Sequence, residues 1–314
     1  MSDSSSIVVD GQPGETQEQQ QQQDSNVLRT SKQTWSTVSD QETVLAKLRT
    51  KCHSPEELAS DKYLIPKFKA YIHTWFNSEC VHCRNMKEGI TKTHPNEIPS
   101  SALRDFRESP RRRPDDPQRR AAVALDCEMV GVGDGKENEL VQLCAVDFLT
   151  GEVLISKYIL PTREVVDWRT AYSGVDKDLL EEKKAEGQTL DGWREARKEL
   201  WKYIDEDTVL VGHSLNNDLG ALKTIHHRVV DSAILTRKAV SSDANGSWRL
   251  RYLCRKLLGK MIQNDASGHD CLEDTFAARE VILFCLLHPE RLGDWAKTAR
   301  PRYINLELNK CHVA

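Results

Sequence analysis

No run in this sequence approaches the roughly 20 consecutive apolar residues that a helix needs to span a bilayer, and no apolar leader opens it. A membrane partner is therefore not expected. The nine cysteines are odd in number, and no second Cys-x-x-Cys answers the one at Cys80-Val81-His82-Cys83. A reducing, intracellular compartment is expected rather than a disulfide scaffold. Excess charge is missing as well: net charge is −4, with 39% hydrophobic and 29% charged residues. That balance argues against a nonspecific basic coat for nucleic acid. The length leaves room for one domain of about 150 to 200 residues plus extras.

Taken in order, residues 1–33 are polar around "QEQQQQQDS". They cannot bury enough apolar surface to offset chain entropy, and disorder is expected. In residues 34–99, Val44, Leu45, Leu48, Leu58, Tyr63, Leu64, Phe68, Tyr71 and Trp75 recur at helical spacing, which predicts a small helical module. Cys80 and Cys83 supply two of the four ligands of a closed zinc site, so structural zinc and unliganded thiols both stay open there. Residues 100–120 carry Arg111-Arg112-Arg113, Pro114 and Arg119-Arg120 and read as a charged linker. Solubility, a nuclear address and a phosphate-attracting arm are all consistent with it.

The informative part is residues 121–290, with 291–314 as an extension. Val123 to Val130 reads as a buried strand interrupted by Asp126 and Glu128. Residues two apart on a strand share a face, so the two carboxylates point together and Cys127 and Met129 point away. Like charges this close repel unless a divalent cation lies between them, and hard oxygen ligands suit magnesium or manganese. A second acid, Asp218, follows the apolar "TVLVG" strand in His213-Ser214-Leu215-Asn216-Asn217-Asp218. There Asn216 or Asn217 would cap a helix beginning near Asp218. A third cluster, His269 and Asp274, opens the strongest helical pattern in the chain, "CLEDTFAAREVILFCLL". With His269 in the turn before that helix, both side chains reach one site. Asp231, in a fifth strand, reads as structural, and Trp201 as packing. A basic helix, Trp248 to Gly259, carries Arg249, Arg251, Arg255 and Lys256 with no acid, the electrostatics expected where a phosphate backbone is steered.

Acid-x-acid on a first strand, Asn-Asp in a middle segment and His-x4-Asp at a late helix resemble the three motifs of the DEDDh 3′-to-5′ exonucleases, a branch of the ribonuclease H-like superfamily. "ALDCEMVGVG", "YILPTREVVDWRTAYSGV", "LVGHSLNNDL" and "LRYLCRKLLG" resemble, in order, the blocks of the RNA exonuclease four and interferon-stimulated twenty-kilodalton exonuclease subfamily. One departure is Arg249, where relatives carry serine. The resemblance implies an α/β fold with a mixed five-stranded sheet flanked by helices. It implies two Mg2+, with Mn2+ substituting, held by Asp126, Glu128, Asp218 and Asp274, and His269 as general base. Met129, His213, Asn217 and Arg251 are then the substrate contacts. The expected partner is nucleic acid, chiefly single-stranded RNA 3′ ends trimmed to nucleoside 5′-monophosphates, with nuclear or nucleolar ribosomal RNA processing as the setting. A 3′-to-5′ DNA exonuclease and an inactive nucleic-acid-binding scaffold are the alternatives.

Overall fold

The apolar run around Asp126 and Glu128 becomes the central strand of the sheet. A computed structural model describes residues 34–65, 103–112, 115–241, 247–264 and 268–311, with side chains to residue 300. The Gln-rich tail, the part of the 34–99 segment that holds Cys80 and Cys83, and most of the loop from Ser241 to Ser247 lie outside the described residues.

The described residues begin with two short helices, α1 (Gln41–Arg49) and α2 (Pro55–Ser60). Asp40 caps α1 by accepting the Thr43 N–H, and Ser54 and Glu57 form a capping box on α2, with Pro55 at its first position. After a two-residue strand β1 (Arg107–Glu108) come the long β2 (Ala122–Val132), β3 (Glu137–Asp147) and β4 (Val153–Leu160). Then follow β5 (Val165–Asp167), α3 (Thr170–Ser173), α4 (Lys177–Ala185), β6 (Thr189–Asp191) and α5 (Gly192–Leu200). The second half runs β7 (Val209–Gly212), α6 (Asn216–Ala221), β8 (Thr224–Ile225), β9 (Val229–Asp231) and α7 (Ser232–Val240). It ends with α8 (Leu250–Leu253), which widens into a π-helical turn at Cys254–Leu258, then α9 (Cys271–Leu287) and α10 (Pro289–Cys311). Among the described residues no helix is long and apolar enough to cross a membrane.

The sheet order is β6-β4-β3-β2-β7-β9, with β5 added against the far end of β2. The β2–β3–β4 meander is antiparallel, whereas β7 and β9 extend it in parallel. The five expected strands all form. The two additions, β5 and β6, are three residues each, too short to leave an alternating pattern. Alternation along β2 sends Val123, Leu125 and Cys127 to one face, under Trp193, Ala196 and Leu200 of α5. Ala122 and Ala124 face the other way, toward Phe276, Ile282 and Leu283 of α9. Helix α9 is buried on every side, because α8 and the π-helical turn bring Leu250, Leu253, Cys254 and Leu257 against its remaining face.

The described part of the 34–99 segment has no core of its own. Val44 and Leu48 join the α9-side core, and Leu58, Tyr63 and Ile65 join the α5-side core. Trp35 stacks on Phe276 with ring centroids 5.4 Å apart. The Arg279 guanidinium, fully buried, donates to the Ser36 and Phe148 carbonyls and pairs with Glu280, which in turn accepts the Ser36 N–H. The charged segment is also tied down: Arg119 pairs with Asp205, and Arg120 with Asp147 and Glu152. Leu48→Ala is expected to lower the stability of the whole sheet domain by about 2 to 5 kcal/mol. Chemical denaturation would show this as an earlier single transition, and a separate early transition would contradict a shared core.

Candidate active site

Each acid is presented by a different kind of element. Asp126 and Glu128 sit in the middle of β2, opposite Cys144 and Gln142 of β3. The register shifts between Glu128 and Met129, so the strand bends just after the pair; bulges of this kind re-aim side chains beside active sites. Glu128 is buried, and the Asp126 carbonyl receives the Cys271 thiol at 3.3 Å.

Asp218 is reached through the loop that follows β7. Helix α6 starts at Asn216, with Leu215 before it and no side-chain cap. The expected asparagine cap is thus corrected: Asn216 and Asn217 lie inside the first turn, and Asp218 is the third helical residue. The reason lies at Asp231, whose carboxylate takes over the role of the cap from across the sheet. It accepts the Ser214 N–H at 2.9 Å and the Leu215 N–H at 3.0 Å, which holds Ser214 at φ 58°, a costly backbone for a residue other than glycine. The Asp218 carboxylate accepts the Cys127 N–H.

The third group is set at the start of α9. Asp270 caps the helix, accepting the Leu272 and Glu273 N–H groups, which leaves His269 in the turn before it, as expected. His269 donates its backbone N–H to the Tyr172 carbonyl at 2.9 Å. Gly268 permits this approach: at φ 108° a Cβ there would sit 2.4 Å from the Thr170 carbonyl oxygen. The His269 Nδ1 lies 3.4 Å from Asp274 Oδ2, and donor atoms of Glu128, His269 and Asp274 all fall within 4.8 Å of one another.

Burial is the first cause of the charge state here, and mutual repulsion the second. The Asp126 carboxyl is pushed well above the usual carboxylate range by burial and then by Asp218, Glu128 and Asp274. Burial, with Asp274 and Asp218, raises Glu128 to about 9. Burial also raises Asp218 to about 8, although the Cys127 N–H offsets part of the effect. Asp274 Oδ1 is buried without a hydrogen-bond partner. An orphaned buried oxygen among carboxylates that resist ionisation is what a divalent cation would satisfy, and an all-carboxylate donor set with one imidazole fits a hard ion.

The residues expected to touch substrate separate into two groups. Met129 packs half-buried against the α5-side core, and His213 binds Ser232 Oγ through Nδ1 at 2.8 Å, so both have structural partners. Asn217 and Arg251 are exposed, as are Arg249, Arg255 and Lys256 around α8 and the π-helical turn. Two residues at the site carried no signal in the sequence. Gln263, at φ 55°, donates its side-chain amide to Asp274 Oδ2 at 2.7 Å. Tyr172 is 69% exposed, with its ring edge-on to His269 at 6.2 Å. It lies in a stretch without periodicity, where a three-residue strand and a one-turn helix form.

A family model described as exonuclease matches residues 123–282, which include all five expected site residues. The chain belongs to this exonuclease family. Within it, the chain is 35% identical over 178 residues to small RNA degrading nuclease 2 of Arabidopsis thaliana, covering 54% of this chain and 36% of the relative. It is 33% identical over 167 residues to human interferon-stimulated 20 kDa exonuclease-like 2, covering 52% of this chain and 45% of the relative. RNA exonuclease 3 of Candida albicans is 30% identical over 165 residues, with 52% and 37% covered. The chain spans less than half the length of each of these exonuclease relatives. Among solved structures, the Saccharomyces cerevisiae Pan2 pseudoubiquitin hydrolase-RNA exonuclease module in complex with AAGGAA RNA superposes with a TM-score of 0.51. That match is 23% identical and covers 65% of this chain and 37% of the other, a likeness of fold.

Cation binding at this carboxylate cluster should release protons. Glu128 and Asp218 titrate near 9 and 8 without a cation, so below those values the ion displaces protons, and it binds more tightly as pH rises. Calorimetry with Mn2+ in two buffers of different ionisation enthalpy is expected to show proton release and a higher affinity at pH 8.5 than at pH 6.5. An affinity independent of pH would contradict the carboxylate charge state described.

Proposed function

We propose that the chain is a 3′-to-5′ exonuclease that hydrolyses single-stranded RNA to nucleoside 5′-monophosphates, with two Mg2+ as cofactor and Mn2+ able to substitute. The observation that carries this reading is the convergence of Glu128, His269 and Asp274 within 4.8 Å, in electrostatic reach of Asp126 and Asp218. Asp126, Glu128, Asp218 and Asp274 would hold the ions. When bound, the ions supply a hydroxide at neutral pH and positive charge at both the attacking and leaving oxygens.

The chain's own residues do the rest. Asp274 Oδ2 faces His269 Nδ1, which orients the imidazole so that Nε2 accepts the proton of the attacking water. An imidazole suits that proton transfer near neutral pH. The exposed Arg249, Arg251, Arg255 and Lys256 draw the phosphate backbone toward an otherwise acidic cleft. The Tyr172 ring offers a face on which a base can stack without regard to sequence. The names carried by the relatives, small RNA degrading nuclease and RNA exonuclease, favour RNA over DNA as the strand.

The test is purified protein with 5′-labelled single-stranded RNA and DNA of the same sequence, in Mg2+, Mn2+ or EDTA. A metal-dependent ladder shortening from the 3′ end is expected, faster on RNA; the reverse preference would make the enzyme a DNA exonuclease, and no ladder with either strand would overturn the reading. Asp126→Ala is expected to abolish turnover with the fold retained. His269→Ala should slow it by about 10² to 10⁴. Tyr172→Ala should raise KM for RNA about tenfold, the weight of one stacked base, and leave kcat within about twofold.

A further inference from the structure

The exonuclease family match begins at residue 123, yet one of the acids is held in place from well before it. Asp231, at the end of β9, is 1% exposed. Its carboxylate is saturated: Oδ1 accepts the Ser214 and Ala233 N–H groups, and Oδ2 accepts the Leu215 N–H and the Tyr63 hydroxyl at 2.5 Å. The backbone of the same residue is held by His53, whose Nε2 accepts the Asp231 N–H at 2.9 Å. That bond leaves the imidazole proton on Nδ1, which faces Glu57 Oε2 at 3.7 Å. Tyr63 and His53 are each 5% exposed.

We propose that Tyr63 and His53 are positioning residues for Asp218, acting through Asp231 and the loop it holds, so that the catalytic unit begins in the segment Trp35–Ile65.

Three further observations support this assignment. The chain is fixed beside the hub: His53 donates its backbone N–H to the Val229 carbonyl at 2.9 Å. Helix α2 is clamped to α7 by two ion pairs, Asp61 with Arg237 and Glu57 with Lys238. Tyr63 is kept a hydroxyl donor well beyond neutral pH by burial and by the Asp231 charge. The lever is short. Ser214 and Leu215, which Asp231 holds, lie directly before α6, so release of either N–H frees a strained φ at Ser214 one turn from Asp218. A group that orients a cation ligand in this way changes cation affinity about 10- to 100-fold when removed, whereas a packing residue changes stability alone.

The inference rests on the reading of Asp218 as a cation-holding carboxylate, and its test separates the two. Full-length Tyr63→Phe keeps the ring and loses the hydroxyl; Leu58→Ala, from the same core cluster, is the packing control. Calorimetric titration with Mn2+, well below either variant's melting temperature, is run beside kcat and KM on single-stranded RNA. Tyr63→Phe is expected to weaken Mn2+ binding about 10- to 100-fold. It should lower kcat with KM for RNA within about twofold, and saturating Mn2+ should restore part of kcat. His53→Gln, which retains an acceptor, should fall between wild type and Tyr63→Phe. Leu58→Ala should melt earlier and bind Mn2+ as wild type does. Wild-type affinity in Tyr63→Phe, or an equal loss in Leu58→Ala, would overturn the proposal. Wild-type protein that binds Mn2+ but leaves RNA intact would sink the proposed function alone, with the positioning role still decided by the Mn2+ titrations. Wild-type protein that binds no Mn2+ would overturn both.

Discussion

Everything in this fold answers to the repulsion among four carboxylates that are largely shut away from water. Left to itself such a cluster would swell apart or take up protons; burial first, and neighbouring carboxylates second, raise Asp126, Glu128 and Asp218. The backbone therefore has to be stiff wherever an acid is attached. Asp126 and Glu128 ride on the strand with neighbours on both sides, β3 and β7. Asp274 rides on a helix buried all round. Asp218 has the weakest native support, a six-residue helix after a strained loop, and it is the one that receives an additional buried carboxylate, Asp231, as an anchor.

That division explains which parts of the site could be read from residue order. The β2 acids interrupt an apolar run, and their spacing of two places them on one face; His269 and Asp274 bracket the start of a long apolar helix. Both are local patterns, and the structure reproduces them. Asp231 is legible only as a structural acid, because apart from the Ala233 N–H its side-chain partners lie 16, 17 and 168 positions away, and a long-range hydrogen bond leaves no periodic imprint. The start of α6 departs from the local pattern for the same reason: the asparagines offer a local cap, but a carboxylate from another strand satisfies the loop. Gln263 and Tyr172 lie in irregular stretches where no period exists to be read.

The first two helices show a different limit. Helical spacing at Val44, Leu48 and Leu58 correctly marks apolar faces, but a periodic face states that something is buried and not against what. Here the answer is the sheet domain itself, through both of its cores. The Arg279–Glu280 pair strengthens the join. A buried ion pair contributes little net stability compared with an apolar replacement, but loss of one partner leaves the other charge stranded. Ser36, by bonding to both members, makes the early segment part of the solvation of that pair.

The substrate side follows an opposite rule. Glu128, Asp218 and Asp274 are buried, whereas Tyr172 and the basic side chains near α8 stand in solvent with few fixed partners. On the proposed function, removal of one nucleotide after another would require the chain to release its product and slide the strand, so contacts to the strand would have to be individually weak and renewable. Stacking and screened phosphate attraction have that character. The geometry of the acids has none of that freedom, because a carboxylate displaced by about 1 Å no longer shares a cation with its neighbours. A boundary drawn at residue 123, where the family match begins, therefore separates Asp231 from buried partners that precede it. It leaves out Tyr63 and His53, the two early residues that bond to the buried Asp231.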